Sequence, residues 1–195
     1  MILGYRKAIG SDPPYWWGKQ DGQDLKFVRV VAGVALPIQD RVSGAAIILG
    51  EQYRQVMPPN LIGLGAAVGQ WGEIENDLAQ FRRDLKFDHA IVDVEPARKI
   101  LYRMKGMNFG QSEYPLITYV APEYSLTEIG RNYTNGLIKE RRLSIAHLKS
   151  FLDREPDQSI LALNMACCWL RDWPAIYQGA RRPVQRGQIL GIEGL

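Results

Sequence analysis

Residues 87–100 read FDHAIVDVEPARKI, and within them HAIVDV (89–94) is a short apolar run that ends in acid at Asp93 and Glu95. An apolar run with no polar alternation predicts a strand covered on both faces, hence a central one. Pro96 then suits the first turn of a helix over PARKILYRM, because its missing N–H would have no partner there. Strand, acid and helix in that order place a carboxylate at the carboxyl end of a central strand, where open α/β sheets bind ligands.

The elements on either side set the fold class. LKFVRVVAGVAL and AAIILGEQYR, joined through the polar IQDRVSG, read as two hairpin-related strands, and NLIGLGAAVGQW reads as a third. In GEIENDLAQFRRDLKF the period changes: Ile74, Leu78, Phe81 and Leu85 recur at helical spacing. YPLITYV is a fifth strand, and DQSILALNMACCWL, apolar nearly all round, is a buried closing helix. Three strands, helix, strand, helix, strand and then helices predict an α/β fold with a mixed five-stranded sheet and helices on both faces. The lead-in at 1–26, rich in turn formers, reads as an irregular arm with Trp16 and Trp17 covering an edge of the core. Residues 27–173 read as the domain and 174–195 as a basic tail.

Composition narrows the function. With 195 residues the chain can bury one core without staples. The only cysteines, Cys167 and Cys168, are adjacent in an apolar run, which gives neither a disulfide framework nor a four-ligand zinc site. No apolar run approaches the roughly 20 residues that span a bilayer. MILGYRKAIG lacks the apolar region of a signal peptide, so the expected compartment is the cytoplasm, with no membrane contact. The net charge of +3 is unevenly spread: residues 1–129 carry 14 basic and 15 acidic side chains, and residues 130–195 carry 10 and 6. A polyanion-binding surface is therefore expected in the last third, on Lys139, Arg141, Arg142, Arg181, Arg182 and Arg186.

GLGAAVG offers Gly63, Gly65 and Gly69 near a strand, but Asp93 lies too far beyond them for a dinucleotide-binding fingerprint, and small residues packed under a helix explain them better. No GxxxxGK[ST] occurs, which excludes a P-loop ATPase. His89 and His147 belong to no triad pattern and read as structural. The carboxylates remain. Asp93 at the strand end and Asp157 at the start of the last buried helix are expected at one end of the sheet. Converging there, they would bind Mg²⁺ or Mn²⁺ through hard oxygen ligands. The competing expectation is that Asp157 caps its helix and that Asp93 and Glu95 favour the helix starting at Pro96.

HAIVDVEPARKILYRM, YPLITYV, RNYTNGLIKERRLSIAH and PDQSILALNMACCWL resemble, in order and character, the nuclease domain of tailed-phage large terminases, which is RNase H-like. The resemblance covers roughly residues 27–173 and implies a metal-dependent endonuclease that hydrolyses DNA phosphodiesters. Asp93 and Asp157 would be the catalytic carboxylates, aided in holding Mg²⁺ or Mn²⁺ by Asp40, Glu51 or Glu95. A separate motor subunit is then an expected protein partner. The family also carries an acid on the first strand, and here FVRVVAGVAL has Gly33 near that position. The alternative is therefore a catalytically degenerate RNase H-like module that binds nucleic acid or a protein partner.

Overall fold

The computed structural model describes residues 2–7, 16–20, 23–52, 60–85, 87, 89–104 and 116–173. Its elements run β1 (Ile2–Lys7), β2 (Trp16–Gln20), β3 (Gln23–Ala35), β4 (Gly44–Gln52), β5 (Leu61–Gly69), α1 (Trp71–Leu85), β6 (His89–Val92), α2 (Glu95–Arg103), β7 (Ile117–Val120), α3 (Glu128–Lys139), β8 (Leu143–Ser144), α4 (Lys149–Leu152) and α5 (Pro156–Asp172).

Five of these strands form the predicted sheet, in the spatial order β5-β4-β3-β6-β7. β3, β4 and β5 are an antiparallel meander, while β6 runs parallel to β3 and β7 parallel to β6. This is an RNase H-like arrangement. The described residues add three strands to it. β8 extends the far edge beside β5, and β1 and β2 form an antiparallel pair on the first part of β3. Residues expected to be an irregular arm are thus partly strand. The reason is tertiary: β3 runs well past its overlap with β6, and β2 pairs with the edge that β6 leaves open. The side chains of Trp16 and Trp17 lie outside the described set, as do residues 174–195.

Alternation along β3 sends its two sets of side chains to opposite faces. Val30, Ala32, Val34 and Leu36 pack with Ile74, Leu78 and Leu85 of α1 and with Ala97 and Leu101 of α2. Val31 and Ala35 pack with Ala162, Leu163 and Ala166 of α5 on the other face. β6 is covered on both sides, as its continuous apolar run requires: Ala90 and Val92 join the first cluster and Ile91 the second. GLGAAVG is strand β5 and not a nucleotide-binding turn.

The closeness of α5 to the sheet depends on one residue. A Cβ at Gly33 would lie 1.9 Å from the carbonyl oxygen of Ala162, so only glycine permits this approach. Cys167 and Cys168 are buried on the same helix, and burial raises both thiol pKa values. That is core packing rather than reactivity. Among the described residues no helix is long and apolar enough to cross a membrane.

Candidate functional site

The carboxyl ends of β3, β5, β6 and β7 and the start of β4 share one rim of the sheet. Asp93 follows β6 directly and reaches this rim. Val92 is in register with Val34, so the β3 position beside Asp93 is Ala35, which is fully buried. Gly33 pairs with Ile91, two residues deeper and under α5. No residue of β3 from Gly33 to Ala35 is acidic, and the β3 neighbour of Asp93 carries a methyl group.

The β3–β4 turn crosses this rim. Ile38 accepts a hydrogen bond from the backbone N–H of Arg41 at 3.2 Å, and Gln39 between them has a left-handed φ of 58°. Arg41 Nη1 lies 2.7 Å from Asp93 Oδ2, with the two side chains 17% and 9% exposed. Two residues on, Ser43 Oγ donates to Glu155 Oε2 at 2.7 Å. Successive Cα atoms are about 3.8 Å apart, so residues 41 and 43 are within about 8 Å of each other. One turn therefore touches both the end of β6 and the start of α5.

The turn reaches the start of α5 through Glu155 and not through Asp157. Glu155 is the residue that faces the turn and also the N-cap of α5, without a side-chain capping bond, while Asp157 is exposed on the first helical turn. The capping role expected of Asp157 is corrected accordingly. A polar cleft of about 690 Å³ opens beside the turn, lined by Ser43, Gln70, Glu73, Asn76, Arg154 and Glu155. Glu73 accepts from the backbone N–H of Gln70 at 2.9 Å. Next to it on α1, Asp77 has its carboxyl pKa raised, first by burial and then by Glu73, against the opposing pull of Arg154.

The other expected ligands are dispersed. Asp40 is exposed in the turn. Glu95 is paired with Arg98 at 2.7 Å on the first turn of α2. Glu51 lies at the opposite rim, because β4 is antiparallel to β3 and places it beside Arg29. There it accepts from Arg29 Nε at 2.6 Å. From Arg29 to Ala35 is six residues of strand, roughly 20 Å, so Glu51 cannot share an ion with Asp93. Among the described residues no three His, Cys, Asp or Glu side chains converge to hold a metal. A two-metal centre needs several converging carboxylates, and the described residues do not supply them. A single feature points the other way: Asp93 Oδ1 is buried with no hydrogen-bond partner.

The basic third of the chain builds a second site. Lys139 ends α3, Arg141 follows in a left-handed conformation (φ 58°), and both are exposed. Arg142 is half-buried, 3.2 Å from Glu140, and its carbonyl accepts from Leu61 at the start of β5. That bond and the short β8 pairing fold the segment back against the sheet. A cleft of about 420 Å³ results, floored by Ile138, Leu143, Ile145 and Leu152 and edged by Arg141 and Lys149. Among the described residues no carboxylate lines it. Arg181, Arg182 and Arg186 lie outside the described residues.

Sequence reasoning missed Arg41 and Lys149. Arg41 left one trace, a guanidinium beside Asp40 in the turn that has to cross the acidic rim. Lys149 left none: only the fold places it on the cleft that Arg141 lines.

No protein-family model matches the chain, and no curated protein matches it. Among solved structures it is similar to the fowlpox virus Holliday junction resolvase, at 14% identity and a TM-score of 0.47, over 73% of this chain and 97% of that one. The fold assignment rests on the strand order given above.

Proposed function

We propose that this chain is an RNase H-like module that binds nucleic acid and does not cleave it, the degenerate form of the nuclease that its sequence resembles. The observation that carries this reading is the buried Ala35 beside Asp93. With a methyl group there and no third ligand among the described residues, developing charge on a phosphorane would meet no preorganised pair of ions. Binding is assigned to Arg141 and Lys149, exposed cations that line a cleft with no carboxylate among the described residues, and to the exposed Lys139 two residues before Arg141. Arg181, Arg182 and Arg186 extend the same charge along the sequence.

The experiment is to incubate purified protein with supercoiled plasmid and Mg²⁺ or Mn²⁺ while measuring DNA binding across a salt series. The expected result is binding that weakens steeply with salt and plasmid that stays closed. Charge reversal at Lys139, Arg141 and Lys149 should then remove the binding. Loss of binding to every nucleic acid tested would leave a protein partner, such as a separate motor subunit, as the function of this surface. The second reading, a metal-dependent endonuclease, is favoured by the unpartnered Asp93 Oδ1. Metal-dependent nicking abolished by Asp93→Ala would establish it over the first.

A further inference from the structure

The acidic rim that would hold an ion in an active relative already contains a cation, and it is covalently part of the chain. We propose that Arg41 is the resident counter-ion of Asp93 and that the β3–β4 turn, fastened at two points, closes this rim to divalent metals. Three observations carry the proposal. Arg41 and Asp93 are 2.7 Å apart and both largely withdrawn from water, so the carboxylate is neutralised where it is least solvated. The turn is fixed on the other side by Ser43, itself buried, on Glu155 at 2.7 Å. Within the turn, the left-handed Gln39 and the Arg41 N–H bond to Ile38 close the backbone just before the guanidinium.

Intramolecular attachment gives Arg41 an effective concentration at Asp93 of order millimolar or above. A guanidinium also has no tightly held water shell to shed, unlike Mg²⁺. A metal arriving from solution must first displace Arg41 from Asp93. The Asp93 rim is thus occupied from within, and nucleic acid is left to the cationic cleft.

This inference rests on the non-cleaving reading, yet the two can fail separately. A chain that binds DNA and cuts nothing keeps that reading even if Mn²⁺ displaces Arg41. The test uses Mn²⁺, detected by the loss of its free-ion electron paramagnetic resonance signal and by its effect on Tm. Wild-type protein and the Arg41→Gln/Asp93→Asn double variant should bind Mn²⁺ equally and show the same Tm change. Arg41→Gln alone should bind one additional Mn²⁺ with a matching rise in Tm. A Mn²⁺ site in the wild type that the double variant lacks would overturn the proposal, and so would a folded Arg41→Gln protein that gains no site. The wild-type comparison stands even if the single variant fails to fold, because the double variant leaves no charge unpaired.

Discussion

Asp93 and Arg41 are held mainly by each other, and at the scale of single residues that mutual dependence is measurable. Truncating Arg41 to alanine strips the partner from a carboxylate whose other oxygen already lacks a hydrogen bond. The expected loss of unfolding free energy is about 2–4 kcal/mol, the scale for leaving a largely buried charge unpaired, and it is read from denaturant midpoints. Adding Asp93→Asn to that variant should recover part of the loss, since no charge is then stranded. Asp77 gives the opposite sign. Its pKa is raised in the folded protein, so folding favours its protonated form, and ionisation lowers stability as pH rises above the ordinary carboxylate range. Asp77→Asn should therefore raise Tm at neutral pH, and the gain should disappear once pH falls below about 3.9, where the unfolded chain is protonated too.

Among the elements, α5 organises the molecule. It covers one face of the sheet through Ala162 and Ala166, and its close approach requires Gly33. Gly33→Ala inserts a methyl group into a backbone carbonyl that no rotamer can move aside. The cost should reach about 1–3 kcal/mol or more as a drop in the denaturant midpoint. Arg29 fastens the far end of the helix. It donates to the carbonyls of Leu170 and Trp173, pairs with Glu51, and lies over the Trp169 ring at 5.2 Å. A cation at the helix C-terminus also meets the negative end of the macrodipole. Glu51 is thereby explained as a structural acid: it neutralises the guanidinium that holds α5. Around the same end His89, Tyr119, Trp169 and Trp173 form a ring cluster, with His89 stacked on Tyr119 at 5.9 Å. The histidine at the start of β6 is thus a packing residue, as its sequence context suggested.

For the whole molecule, the separation of the two candidate surfaces gives the prediction with the widest consequence. If Lys139, Arg141 and Lys149 each neutralise a phosphate of duplex DNA, reversing all three should flatten the slope of log affinity against log salt by about 3, at roughly 0.9 per contact. Charge changes at Arg41 should leave that slope unaltered, because its guanidinium is spent on Asp93. A slope that responds to Arg41 and not to Lys139, Arg141 and Lys149 would move the nucleic acid to the acidic rim.

The sequence alone determined the order of the five core strands and the helices between them. Periodicity records which faces are buried, and each pattern lies within one contiguous segment: the run at 89–92, the fourfold and threefold spacing from Ile74 to Leu85, the apolar closing helix. It also determined that Asp93 stands at a strand end and that the cations concentrate in the last third. Tertiary structure alone decided what those groups touch. Register put Ala35 and not Gly33 beside Asp93, antiparallel pairing carried Glu51 to the opposite rim, and the fold put Lys149 on the cleft that Arg141 lines. The β3–β4 turn gave Asp93 an arginine where a cation from solution was expected. Ionic partners are chosen by contacts between segments far apart in the chain, and a local pattern carries no record of them.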